Sequence, residues 1–161
     1  MTAQQGDLAL LADPIAQQLL ASRIPARLAY TWFDGSPRVV PIWFHWNGYE
    51  IVMAGPTDAP KVAALRANPR VALTIDDASS WPYRVLLLRG EARIETVAGV
   101  APEYASAAER YFGTEGGQAW VANVGQLEDS MVRFAVRPDW VGILDFESRF
   151  PQAIAAKMVQ V

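Results

Sequence analysis

The sequence predicts a mainly β fold of the α+β class: a closed antiparallel barrel of about six to seven strands with short peripheral helices. Three observations predict it. Two tight-turn signals, Asp34-Gly35 and Asn47-Gly48, each join two stretches rich in apolar and aromatic residues. A long stretch from Tyr83 to Thr96 starts as a continuous apolar run and then alternates. About four short helical patterns lie between the strands, too short to form a core of their own. Closing such strands on themselves removes exposed edges, and a sandwich is the alternative.

Along the chain, residues 1–12 are small, polar and aliphatic and are expected to fray. Asp13-Pro14 starts a helix, with Asp as cap and Pro in the first turn, and Ile15 to Ala21 then buries Ile15, Leu19 and Leu20. Ala26 to Phe33 reads as a strand, Arg38 to Trp46 as its hairpin partner and Tyr49 to Ala54 as a third, so that the hairpins form a meander. Ala59 to Ala67 reads as a short helix stopped by Asn68-Pro69, because proline disfavours helical geometry in the residue before it. Arg70 to Asp76 is a strand. In the long strand after Tyr83, Gly90 marks a bulge or bend where the pattern changes. Pro102 to Phe112 and Gly117 to Val124 read as helices. Met131 to Val136 and Trp140 to Phe146 read as strands separated by Arg137-Pro138-Asp139.

Composition narrows the chemistry. The 161 residues, 52% hydrophobic and 19% charged, suit one domain with a substantial core. No run is apolar enough to span a membrane and the N-terminus does not read as a signal peptide, so the expectation is a soluble cytoplasmic protein. With no cysteine there is no disulfide, thiolate metal site or cysteine nucleophile, and one histidine excludes a multi-histidine metal site within the chain. A net charge of -3 disfavours nucleic acid as a partner. No Ser-His-Asp arrangement, phosphate-binding Walker loop or dinucleotide glycine fingerprint is present.

The most informative stretch runs from Val39 to Leu73. Paired strands deliver Gly55-Pro56-Thr57 and then Lys61 to the start of a short helix, beside the apolar segment Val39-Val40-Pro41-Ile42-Trp43-Phe44. A lysine in the first turn of a helix opposes the helix dipole, and a bound phosphate would reverse that sign. The alternative for Lys61 is a solvated surface lysine, and for Thr57 a plain turn residue. Pro41 cannot donate to a ladder, so it belongs at an edge, a bulge or against a ligand.

These residues, with Leu65-Arg66-Ala67-Asn68-Pro69-Arg70-Val71-Ala72-Leu73 and the later Gly90-Glu91-Ala92, resemble the pyridoxamine 5'-phosphate oxidase-like split-barrel superfamily over residues 13 to 146. The resemblance implies a homodimer binding FMN, or the related 8-hydroxy-5-deazaflavin coenzyme, between subunits. It implies hydride or electron transfer to or from a small organic substrate. Val40, Pro41, Ile42 and Trp43 would run along the flavin ring, and Thr57 and Lys61 would hold the phosphate. Ala59 stands where many members carry Ser or Arg, which leaves one strong phosphate donor. The longer acidic tail of the deazaflavin would call on Arg66, Arg70, Arg84 and Arg89. A non-catalytic carrier of flavin, or of haem through His45, is the rival of a different class.

His45, the sole histidine, is either a general acid, a haem ligand or a packing residue. Tyr111, Phe112 and Trp120 either cap a cofactor ring or staple helices to the barrel. Asp76 and Asp77 are adjacent on a strand and point to opposite faces, so they are not an acid/base pair.

Overall fold

The computed structural model describes residues 4–158. The elements in order are α1 (Pro14–Leu20), β1 (Ala26–Thr31), β2 (Pro37–Ile42), β3 (His45–Trp46), β4 (Ile51–Pro56), α2 (Pro60–Ala67), β5 (Arg70–Asp77), β6 (Arg84–Ala98), α3 (Pro102–Leu127), β7 (Ser130–Leu144) and α4 (Gln152–Met158). Local signals behave as expected. Asp13 caps α1 by accepting from Ile15 N–H at 2.9 Å, and Pro14 occupies its first turn. Gly35 and Gly48 take φ of 82° and 104° in the two turns, values that favour glycine.

The strands form one antiparallel seven-stranded sheet in the order β2-β1-β5-β6-β7-β4-β3. Its inner face buries Leu28, Leu73, Ile75, Leu86, Leu88, Phe134 and Ile143 against Leu19, Leu20 and Leu65 of the helices. Ile15 is only half-buried, and Ala16 takes the interior place on α1 instead. No helix among the described residues is long and apolar enough to cross a membrane.

Four expectations need correction. First, hydrogen bonds do not close a barrel: β2 and β3 are free edges at opposite ends of the sheet. The chain passes from one edge to the other through Trp43 and Phe44 alone. A link so short spans at most about 11 Å, so the edges approach there and the sheet must curl. Second, Arg38 to Trp46 is therefore not one strand, and the three-strand meander does not form. Alternation nevertheless survives from Ile42 to Trp46: Phe44 is fully buried in the core with Ile42 and Trp46 packed against the same cluster, while Trp43 stays half-buried outside it.

Third, Arg137-Pro138-Asp139 does not end a strand. β7 runs through it, and the register shifts so that Arg89 faces Trp140 while Gly90 faces Pro138, leaving Asp139 as the extra residue. Gly90 is needed there, because a Cβ would lie 2.6 Å from the Arg137 carbonyl. Fourth, residues 4–12 do not fray. Gly6 N–H donates to Val141 O at 2.7 Å, and the Gln5 side chain both donates to Ile143 O and accepts from Ile143 N–H. A 3-10 turn at Leu8–Ala12 follows and buries Leu10. The proposed disorder at residues 1–3 lies outside the described residues.

The two helices expected around Gly113 are present and folded back on each other. Gly113 has φ 79° and ψ 169° and interrupts α3. Across the fold-back, Trp120 Nε1–H donates to Tyr104 OH at 2.9 Å, and a Cβ on Gly117 would lie 2.5 Å from Glu109 Cα. α3 is thus an antiparallel helical hairpin. α4 has no counterpart in the sequence reading, for its residues bury little and show no apolar period.

Candidate functional site

β4 ends in Gly55-Pro56, and the chain turns through exposed Thr57 and Asp58 into α2. Ala59 is the N-cap of α2 and offers no side-chain acceptor, so the first amides of the helix have no side-chain partner. Lys61 lies in that first turn, half-buried, with its Nζ 4.0 Å from where a Cβ on Gly55 would be. Burial pushes its pKa below the ordinary lysine range. Among the described residues it makes no ion pair and no side-chain hydrogen bond. Pro60 has no N–H, and those of Ala59 and Val62 go to Pro56 O and Ala59 O, so the desolvated Lys61 ammonium is the main donor that this helix start offers a phosphate, and glycine at 55 leaves the approach open.

Val40, Pro41 and Ile42 lie on the edge strand β2, where Pro41 faces Arg27 of β1. The missing amide of Pro41 is therefore explained by an edge position. Val40 and Ile42 pack on the inner core, and so does Ala59, which leads into Lys61. Trp43 leaves the strand and is enclosed by α3. It stacks on Tyr111 at 4.9 Å and 17°, meets Phe112 edge-on at 5.1 Å, and lies 5.8 and 6.0 Å from Tyr104 and Trp120. Its ring is thus largely occupied within the chain. The aromatic residues of α3 do staple helix to sheet, one of the two roles open in the sequence.

The same junction holds polar groups. Arg110 Nε donates to Ser22 O at 2.9 Å, a second nitrogen donates to Phe44 O, and the guanidinium stacks on the Phe44 ring at 4.6 Å. Arg133 pairs with Glu103 through Nε and a terminal nitrogen at 2.9 and 2.7 Å, both on Oε1. Burial, and then Arg110, lower the His45 pKa, while Glu103 acts the other way. Glu103, Arg110 and Arg133 went unnoticed in the sequence. Their partners lie 30 to 88 residues away along the chain, so no local spacing could mark them.

Arg70 and Arg89 line one cleft of about 290 Å3 on the outer face of β1, β5 and β6, with Ala29, Thr31, Pro37 and Ala72. Arg84 lies elsewhere, donating to Gln18 at 2.7 Å, and Arg66 sits exposed in the last turn of α2. The structure thus brings two of the four candidate tail-binding arginines together.

Comparison with known proteins agrees with this architecture. Among curated proteins none matches the chain in sequence. An F420 reductase of solved structure is 28% identical, with a TM-score of 0.56 over 79% of this chain and 94% of that one. A conserved hypothetical protein from Mycobacterium tuberculosis superposes with a TM-score of 0.67 at 22% identity, covering 88% of this chain and 86% of its own. The haem storage protein HutZ from Vibrio cholerae gives 0.58 at 18% identity, covering 83% and 93%. The last two establish the shared fold alone. The profile of pyridoxamine 5'-phosphate oxidase matches residues 13–145, which runs from the cap of α1 through the end of β7. With most of its length matched in this way, the chain belongs to the pyridoxamine 5'-phosphate oxidase family.

Proposed function

We propose that the protein is an oxidoreductase that binds a flavin-type cofactor and passes hydride or electrons between it and a small organic substrate. The observation that carries this reading is Lys61: a half-buried ammonium without an anion partner among the described residues, at a helix start without a side-chain cap, in a chain of this family. FMN is the cofactor of first choice. Lys61 and Thr57 hold its phosphate, and Val40, Pro41, Ile42 and the backbone at Trp43 border its ring. The bound cofactor supplies the redox chemistry, and the residues around it bind, orient and exclude water.

A second reading, 8-hydroxy-5-deazaflavin in place of FMN, is favoured by the 28% identity to an F420 reductase and by the paired Arg70 and Arg89. We also propose a homodimer. Val39 is 64% exposed, and exposed Pro41 and Ala72 share the outer face of β1, β2 and β5 with it. An apolar sheet face of this kind suits a second copy of the chain.

Titration of the purified protein with FMN and with the deazaflavin, followed by visible absorbance, tests the cofactor. A band shift with one at tenfold lower concentration selects it, and no shift with either refutes the oxidoreductase reading. Gel filtration at the 17.7 kDa chain mass instead of twice that would refute the dimer.

A further inference from the structure

We propose that the outer face of β6 and β7 is a second binding site, for a small molecule that joins one carboxylate to an apolar chain or ring. No residue assigned above to the FMN site lines it. Strand alternation places its parts. Leu86, Leu88, Val141 and Ile143 point into the core, so Leu87, Arg89, Trp140 and Leu144 point outward. The register sets Arg89 opposite Trp140 and Leu87 opposite Gly142. A groove of about 600 Å3 lies between this face and α4, walled by Leu87, Trp140, Leu144, Phe150, Pro151 and Ala155. Its other liners are Gln4, Gln5 and Gln152, so no charged group among the described residues borders it. Gln5 spends its amide on the Ile143 backbone. Small-molecule sites are usually clefts of about 300–1,000 Å3 with mostly apolar walls and few polar groups, and this groove is of that kind.

Positive charge stands at one end of the groove. The Arg89 guanidinium lies over the Trp140 ring, 4.0 Å from its centroid, and makes no ion pair among the described residues. Trp140 is seated closely beneath it: a Cβ on Gly142 would lie 2.5 Å from the indole Cη2, and one on Gly6 2.9 Å from Nε1. Two glycines and the bulge at Asp139 thus fix the ring that carries Arg89. A guanidinium lying on a ring keeps its in-plane N–H donors free, and their fork matches a carboxylate. Arg89 also lines the adjoining cleft of about 290 Å3, together with Arg70. Arg70 is paired with Glu91 at 3.5 Å, but both side chains are mostly exposed, so the pair contributes little. An apolar groove that ends at an unpaired, seated guanidinium fits a ligand of the same polarity. Its chain or ring fills the groove and its carboxylate meets Arg89, with Arg70 adding positive potential. Of the residues offered above to a second copy, Ala72 alone borders either cleft, and Val39 and Pro41 lie on β2, three strands from β6.

Isothermal titration of the purified protein with decanoate, decanol and butyrate, with no cofactor added, tests the site apart from the oxidoreductase reading. Because no deazaflavin is present, the readout also stands apart from that use of Arg70 and Arg89. Decanoate should bind once per chain and at least about tenfold more tightly than decanol, the gain of a charge-assisted contact. Butyrate, with most of the chain removed, should bind at least about tenfold more weakly than decanoate. Arg89→Gln should abolish the preference for decanoate and leave decanol affinity unchanged. Ala155→Trp, which fills the groove, should weaken decanoate and decanol alike. Equal affinity for decanoate and decanol in the wild-type protein overturns the carboxylate site even if a variant does not fold, and so does a preference that survives Arg89→Gln. If neither molecule binds the wild-type protein, the proposal falls; a dimer that dissociates on Leu87→Arg would then assign the groove to a second copy of the chain.

Discussion

Trp43 and Tyr111 stack with ring centroids 4.9 Å apart and planes inclined by 17°. The contact joins the two-residue link between the sheet edges to the first half of α3. Tyr111 is further tied by its hydroxyl, which donates to Ile24 O at 3.2 Å. Tyr111→Ala removes ring and hydroxyl together. From half-buried area, the stack and one hydrogen bond we expect a loss of about 2–3 kcal/mol in chemical denaturation. A loss under about 0.5 kcal/mol, the range of a surface substitution, would show that α3 is held elsewhere.

Lys61→Ala should weaken binding of a phosphate-bearing cofactor by about tenfold or more, the loss of a charge-assisted contact. Because burial lowers the lysine pKa, affinity should also decline earlier on the alkaline side than an ordinary lysine would give. Isothermal titration from neutral to alkaline pH reads both effects. Equal affinity in the variant would remove Lys61 from the site.

Gly117→Ala places a methyl 2.5 Å from Glu109 Cα and 2.6 Å from Glu109 N, both backbone atoms that cannot step aside. The two halves of α3 must separate, at a cost of about 1–3 kcal/mol. Hydrogen exchange should rise in residues 102–127 before it rises in β6 and β7. Unchanged protection across the hairpin would contradict the close crossing.

Acid should destabilise the protein through Asp145. Burial alone would raise its carboxyl pKa, but donors from the Ser148 hydroxyl and from Arg149, Glu147 and Ser148 N–H outweigh that and hold it far below the ordinary range. Glu103 is lowered as well, chiefly by Arg133. A carboxyl with a depressed folded-state pKa stabilises the fold above its unfolded pKa and loses that contribution as pH falls. Stability should therefore be level near neutrality and decline below about pH 4. Asp145→Asn should be less stable at pH 7 and show a shallower acid decline. An acid decline as steep as that of the wild-type protein would clear Asp145 of this role.

The local elements were legible because their signals are local. Asp13-Pro14, Asp34-Gly35, Asn47-Gly48 and Asn68-Pro69 act through backbone geometry within a few residues, and each appears where expected. The place of Lys61 in the first turn of α2 was legible because it depends only on the local helix start. Pro138 misled because a bulge, which depends on the partner strand, absorbs it within β7.

The sequence by itself determined most of the strands and helices, the family and the stretch from Val39 to Leu73 as the place to look. Only the tertiary structure decided the rest. It set β2 and β3 on opposite edges of the sheet, stacked Trp43 on Tyr111, and brought Glu103 to Arg133 and Arg110 to the carbonyls of Ser22 and Phe44. Those outcomes depend on which distant groups share a buried volume. Burial and charge act through space, and spacing along the chain does not encode them.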